Sequence, residues 1–513
     1  MKQGSITAFC AICMMLIASL LLVLLESGRV YGLDFYAKLK AEAGIDSVCA
    51  EFQPLLWQQY GLLALDGAYG TEYFSKDYMT ESLTGYITKS CQKEEGLSSL
   101  FGMDLFQVTL TEAELTGYAL LTDENGELFL DYVAERTKED LPIGVAEDIY
   151  AEYEENKQME DGQSELVETI SDASQTLASA KASKWKEIET KIEAAETEEE
   201  ENAARSEAWV LNSPAIKELE KVLGSVNTAQ TSGMLRLILG DTSTVSTKDS
   251  KPESDLQNRE KEEGTMRYVG REDWYRKLLV LTYLEQYFSC YQKQNPEHYL
   301  AYEMEYVLCG KDTEWKNLEA TLNRLLLARA AANVTYLLQD SEKTKAAESM
   351  AAAIGLLVGE NPVAVKVIQI GIIGVWAYAE SILDVRALIT GEQIPLLKNR
   401  DEWTTDLAHV FAVFEGDLVA KKCEKGLYYA DYLKQLLFFT SDEIVAFRMM
   451  EVMELGMQAE SEYANCKMNQ MLAAMQYQLG FQSNPIFSSL MTIGNSYDGK
   501  LHFEKKVERS YIP

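Results

Sequence analysis

The chain has 513 residues, with 81 acidic and 47 basic side chains, a formal charge of −34 and 47% hydrophobic content. That apolar content is ample for a buried core and excludes global disorder, while 9 Pro and 31 Gly exclude collagen-like and proline-rich classes. Nucleic acid is excluded as an expected partner, because phosphate contacts need clustered Lys and Arg and so acidic a surface repels the polymer.

From Ser5 to Leu25 the chain runs 21 residues without a charge. As a helix this spans roughly 30 Å, the thickness of a bilayer's hydrocarbon core, so the lipid bilayer is the first expected partner. The competing reading is a cleaved signal peptide, which has a shorter apolar region and a small-x-small cleavage site. The run leads instead into Glu26, Ser27, Gly28 and Arg29, which favours a retained anchor over 1–29. Topology stays open, since Lys2 on one side faces Arg29, Lys38 and Lys40 on the other.

Val30, Leu33, Ala37, Ala41, Ile45, Val48, Phe52 and Leu55 then recur at spacings of three and four until Pro54 disfavours further helix. This predicts a helical stalk over 30–66 with an apolar stripe that needs a surface, either its own ectodomain or a neighbouring subunit. A mixed part follows over 67–150. Phe106, Val108 and Leu110 alternate with polar residues as in a half-buried strand, Asp123 to Gly126 reads as a turn, and a short helix begins at Glu127.

From 151 to 239 the composition shifts to Ala, Glu, Lys and Ser, with a run of glutamates at 196 and 198–201, the signature of a solvated helix or helical hairpin. Residues 240–265 lack apolar periodicity and read as a linker. A helical domain is expected over 266–480, with Trp274, Leu278, Leu281, Leu284 and Phe288 at helical spacing and a helix start near Ser441. The apolar stretch from Val363 to Ala379 carries Lys366 and Gln369, so a buried core helix is expected there in preference to a second membrane span. Leu501, Phe503 and Val507 alternate after Asp498-Gly499, which predicts a C-terminal β-hairpin over 481–513, with 487–494 as its other arm and the strand near 106 as a further partner. The expected fold class is therefore mainly α (α+β), an N-terminal transmembrane helix continuing into a stalk and a large helical ectodomain with a small β element.

No motif carries chemistry. His298, His409 and His502 lie far apart, no H-E-x-x-H zinc signature is present, and neither G-x-S-x-G nor a phosphate-binding P-loop occurs. Cys10 and Cys13 have redox spacing but sit inside the apolar run, where packing is the expected role. Cys49, Cys91, Cys290, Cys309, Cys423 and Cys466 allow 15 disulfide pairings in an oxidising setting, or serve as free buried thiols. Glu380 and Asp384 share a helix face, where Arg386 or Arg329 could compensate them in a buried polar network. No catalytic, cofactor-binding or metal-binding residue is assigned, no cofactor is expected, and the chain is not expected to be an enzyme.

Gly4 to Phe9, the apolar run, Leu25 to Arg29 and Ala50 to Leu63 resemble a bacterial family of unknown function found chiefly in Firmicutes beside tight-adherence (Tad) pilus genes. Met304 to Lys311, Asn317, Leu318, Arg329, Asn333, Trp376 to Ser381, Asp384 to Leu388, Tyr429 to Leu433 and Arg448 to Met450 extend the resemblance along most of the chain. The start also resembles the TadE and TadG minor pseudopilins, whose processing site places Glu five residues after a Gly; here Phe9 stands at that distance from Gly4, so prepilin-type cleavage is not expected. The resemblance implies a membrane-anchored structural or assembly component of a Tad-type pilus or secretion apparatus, with other pilus or envelope assembly proteins as partners and an ectodomain outside the cell membrane. The rival readings are an envelope enzyme and a secreted binding domain.

Overall fold

The computed structural model describes residues 3–92, 105–161, 163–231, 233–270, 273–359, 361–416, 418–487 and 499–512. The chain forms two compact units, one of residues 1–136, 252–272 and 449–513, the other of residues 137–251 and 273–448.

In the first unit a single helix, α1, runs from Gln3 to Cys49 without a break. At 1.5 Å per residue its 47 residues reach about 70 Å. Up to Leu25 the described side chains are exposed or half-buried on every side, with Leu16, Leu20 and Leu24 each 59 to 64% exposed. Beyond that point the stripe foreseen from its spacing goes inside: Leu33, Ala37, Ala41, Ile45 and Val48 are fully buried. Their cover comes from helix α2 (Lys76–Cys91), through Met79, Leu83 and Ile87, and from a four-stranded antiparallel sheet. A Cβ on Gly44 would run into Cγ1 of Ile87, so glycine is what lets α1 and α2 approach so closely.

The sheet is built on its third strand in chain order. β1 (Leu65–Asp66), β2 (Thr109–Leu120) and β4 (Leu501–Ser510) all pair with β3 (Met471–Ser483). β2 lines one edge from Thr109 opposite Gln482 to Leu120 opposite Leu472, while β4 and the short β1 share the other. Tyr477, Leu479 and Phe481 of β3 turn into the same core as the α1 stripe. The stalk's apolar stripe is thus satisfied by its own unit, the first of the two surfaces it could have needed.

Two expectations are corrected here. Residues 471–480 belong to a strand rather than to the helical domain; Met, Leu, Ala and Gln suit a helix locally, but pairing on both edges overrides that preference. β4 pairs with β3 and not with β2, and the arm expected at 487–494 lies outside the described residues from 488 onward. The 240–265 segment contains no helix or strand, yet it is held: Arg259 reaches Glu454 at 2.6 Å and Asn469 at 3.0 Å, Leu256 N–H donates to Glu451, and Gly264 N–H donates to Asp123. Polar contacts to the buried Glu451 and Glu454 and to the half-buried Asp123 supply there what apolar periodicity does not.

The second unit is helical. Helix α3 (Gln163–Ala194) exposes Glu168, Asp172, Lys186 and Glu189, while Leu166, Ile170, Ala173, Leu177 and Ala180 form a buried stripe; the glutamate run at 198–201 belongs to the next helix, Glu198–Glu207. Helices α4 (Glu314–Gln339) and α5 (Pro362–Ile389) complete the core. Asn361 caps α5 by accepting from the amides of Val363 and Ala364, with Pro362 at the first helical position. Gly371 and Gly374 let α5 settle onto Ala173 and Ile170 of α3. Of the most apolar 18-residue window of α5, 67% is buried, so it is the core helix expected in preference to a membrane span.

Because Val48 is fully buried between α1, α2 and the sheet, Val48→Asp should place an unpaired carboxylate in that core and cost several kcal/mol. Limited proteolysis should then cut the 449–513 strands, while the helical unit stays resistant.

Candidate functional site

The densest polar feature of the helical unit is a set of four buried charges. Arg329 and Asn333 lie one turn apart on α4, and Glu380, Ser381 and Asp384 line the facing side of α5. Arg329 donates to Asp384 Oδ2 from Nε at 3.1 Å and Nη2 at 2.9 Å, and Asn333 donates to the same oxygen at 3.0 Å. Lys398, from the loop after α5, reaches Glu380 Oε1 and Asp384 Oδ1, each at 2.5 Å. Two acids therefore face two bases, none of the four side chains being more than 1% exposed.

The cluster also fastens the loop from 394 to 405. Arg329 Nη1 donates to Leu396 O at 2.6 Å and to the Tyr432 hydroxyl at 3.0 Å, and Glu380 accepts from the amides of Thr404 and Thr405. Burial alone would raise the Asp384 carboxyl, but Lys398 and then Arg329 hold it below its ordinary value. Burial would likewise weaken the charge on Lys398, yet Asp384 and Glu380 hold its ammonium above the usual lysine range. The charges on Asp384 and Lys398 thus persist at neutral pH, and the contribution from Asp384 is lost only as pH falls below the ordinary carboxylate value of 3.8.

Of the two bases foreseen for Glu380 and Asp384, Arg329 takes the role and Arg386 does not; Arg386 donates from Nε and Nη2 to Leu237 O instead. Sequence reasoning missed Lys398, because a single Lys in a polar loop has no local signal of burial. The surrounding Thr405 is also fixed, accepting from Trp376 Nε1 at 2.9 Å through its hydroxyl and from Trp403 Nε1 at 2.8 Å through its carbonyl.

A second buried acid stands apart from any cation partner. Glu305, on the short helix Glu303–Cys309, accepts from the amide of Tyr291 and from the Tyr429 hydroxyl, both at 2.8 Å, through Oε1; its Oε2 has no hydrogen-bond partner among the described residues. Burial pushes its carboxyl up to about 7, against the pull of those two donors. Its neighbours Glu303 and Glu314 are buried as well, Glu303 accepting from Ser289 N–H and facing His298 Nδ1 at 2.8 Å, Glu314 accepting from the amides of Ala301 and Tyr302. All three acids hold the loop from 289 to 302 by its amides.

In the first unit, Glu26 and Arg29 form a clasp where the uncharged run of α1 ends. Arg29 Nη2 pairs with Glu26 at 2.8 Å and donates to Asn484 O at 2.6 Å, while Nη1 donates to Leu105 O at 3.0 Å. Glu26 in turn accepts from the amides of Ile486 and Phe487. Arg29 is therefore committed to structure and is not a free topological charge.

The remaining candidates do not converge. His298 sits with Glu303, His502 is on β4 opposite Gln482, and the side chain of His409 is outside the described set. All eight cysteines are free thiols, and among the described residues no group of three or more His, Cys, Asp and Glu is arranged to hold a metal ion.

Fold and clusters together define a mainly helical protein with a small sheet and an apolar N-terminal helix. A family model described as a family of unknown function, DUF5702, matches residues 213–483, just over half of the chain, and the chain belongs to that family. No curated protein and no solved structure matches it. The matched stretch holds the whole four-charge cluster, Glu305 and β3, but not the Glu26–Arg29 clasp.

Two outcomes test this electrostatic picture. Lys398→Ala should leave Glu380 and Asp384 facing Arg329 alone and cost about 3–5 kcal/mol in urea unfolding, and adding Glu380→Gln should recover part of that loss. For Glu305 the native state holds a proton between 4.5 and about 7 that the unfolded chain has released, so stability falls as pH rises through that window, by about 3 kcal/mol in all. Glu305→Gln should flatten the dependence of Tm on pH there.

Proposed function

We propose that the protein is a single-pass membrane protein of the bacterial cell envelope, with its ectodomain on the extracytoplasmic side, serving as a structural or assembly component of a Tad-type pilus or secretion apparatus. The observation that carries this reading is the continuity of α1. Its first part is apolar and uncovered, long enough for a bilayer's hydrocarbon core, and its second part is built into the core of a folded unit without a hinge. Such a helix passes force and position from a membrane to an ectodomain, which suits an assembly part better than a tethered enzyme on a flexible linker. The resemblance of the N-terminal segment to TadE and TadG pseudopilins, and of the rest to proteins encoded beside Tad loci, supports the choice of apparatus. Glu in place of Phe9 would be needed for prepilin-type processing, so the helix is retained in the mature protein.

Fractionation tests the proposal. The full chain should pellet with membranes, resist carbonate extraction and yield N-terminal peptides that contain the apolar run, and affinity capture of the intact protein from those membranes should recover Tad components. A soluble mature form beginning near Tyr31 would support the secreted-domain alternative instead.

A further inference from the structure

Within the four-charge cluster, one contact has a geometry that an ion pair does not need. Lys398 Nζ stands 2.5 Å from Asp384 Oδ1, closer than the roughly 2.7–3.2 Å of an N–H···O bond, yet Oδ1 accepts no hydrogen bond among the described residues. The same nitrogen does donate to the other carboxylate, at Glu380 Oε1. In a formed amide, nitrogen and oxygen share one carbon and stand about 2.2–2.3 Å apart, given bonds of about 1.33 and 1.23 Å. The approach of Lys398 to Asp384 thus falls between a hydrogen bond and an amide.

We propose that Lys398 and Asp384 join covalently: Nζ bonds to the side-chain carbon Cγ of Asp384, one water leaves, and an intramolecular amide ties α5 to the 394–405 loop. This modification goes beyond the proposed function and does not depend on it. An ammonium and a carboxylate become one amide and one water, so nothing is oxidised or reduced and no other reactant is needed. The cluster stays neutral, with Arg329 and Glu380 as its remaining charges.

Each neighbour has a part in that step. Glu380 is held in place by the amides of Thr404 and Thr405 at 2.9 and 2.8 Å, and its Oε1 accepts a proton from Nζ, which frees the lone pair that attacks Cγ. Negative charge that gathers on Oδ2 during the addition meets Arg329 Nε and Nη2 at 3.1 and 2.9 Å and Asn333 at 3.0 Å, donors already directed at that oxygen. Two of the ammonium protons pass by way of Glu380 to Oδ1, which leaves as water, and the third stays on the amide nitrogen.

Condensation of an amine with an acid is unfavourable in open water, and the site offsets this in two ways. Partners fixed in contact react with effective molarities of about 10⁵–10⁸ M. Lys398, Glu380 and Asp384 have no exposed side-chain surface, so the water that would reverse the bond is kept out. The ionised pair is the resting form before joining, but burial favours the uncharged amine and acid from which joining proceeds. One such event in the life of each chain is sufficient.

Mass spectrometry of the full chain, purified from the cells that make it and then denatured, tests this. The chain should be lighter than its sequence by one water. Asp-Gly steps such as Asp498-Gly499 can also shed a water, as a succinimide, so the linkage is read on peptides. Trypsin cuts after Lys366, Arg386 and Arg400 but not after an acylated lysine, so 367–386 and 387–400 should appear as one branched peptide, with fragmentation placing the branch at Asp384. Asp384→Asn should give the identical branched peptide, because ammonia then leaves in place of water. Glu380→Gln should slow joining by about 10²–10⁴-fold and leave mostly unlinked chain. Wild-type chain that keeps its full mass and is cleaved after Lys398 overturns the proposal and leaves an ordinary buried ion pair. A branch at Glu380 overturns the choice of acceptor, and freshly made Glu380→Gln chain that is fully joined overturns the part given to Glu380.

Discussion

A carboxylate placed where 21 uncharged residues end has to be compensated or it unfolds the segment around it, and the arrangement of the first unit follows from how Glu26 meets that demand. Arg29, one turn on, neutralises it, and the two together take up two carbonyls and two amides from the chain at 105 and 484–487. Those segments lie just before β2 and just after β3, so one ion pair fixes the height at which the sheet sits along α1. With that height set, Leu33, Ala37, Ala41, Ile45 and Val48 fall opposite the inward residues of β3 and α2. Lys505 and Arg509 of β4 then find Asp34 and Asp46 at 2.6 Å on the flank of the same helix. Those exposed pairs add little energy of their own, but they are consistent with the register the buried contacts impose.

The helical unit solves a related problem at α5. Over residues 371–385 α5 is buried on all sides and has no polar face to give away, so an acid there needs its partner inside the protein. Glu380 and Asp384 obtain theirs from α4 and from the 394–405 loop, and the net charge of the four groups is zero. Replacing such a cluster by hydrophobic residues can be neutral for stability, so its value lies in specificity: only one placement of the loop brings Lys398 between both acids and the Thr404 and Thr405 amides onto Glu380. Glu305 contrasts with this. Its donors are neutral, and its carboxyl rises toward neutrality where that of Asp384 is held down.

Much of this was legible in the sequence where the determining contacts are local. The apolar run, the stalk stripe, the turn at Asp123 with the helix after it, the core character of α5 and the helix that begins at Asp442 all follow from spacing and from a few charges. The buried character of Glu380 and Asp384 was legible for the same reason. What was hidden depends on distant segments. β3 takes its neighbours from residues 109–120 and 501–510, and its own stretch of Met, Leu, Ala and Gln reads as helix until those edges are supplied. Lys398 was invisible because the four-charge cluster is closed by a loop. Arg386 misled because sharing a helix with Asp384 is no guarantee of sharing a face; two residues on, it points to Leu237 O.

The exposed face of α1 is itself a consequence of its buried one. Successive residues of a helix are rotated by about 100°, so Tyr31 and Phe35 lie opposite Leu33 and Ala37 whatever the local packing does. Rolling the helix to hide the aromatic pair would expose the leucine and alanine stripe and pull Glu26 away from the amides of Ile486 and Phe487. The sheet cannot cover both sides either, since its contacts to α1 come from one direction. Within a single chain the exposure of Tyr31, Phe35 and Leu39 therefore has no intramolecular remedy that leaves the clasp intact. A rigid, two-faced helix therefore keeps its second face outside the unit's core, and the orientation of that face is set by the ion pair at its base.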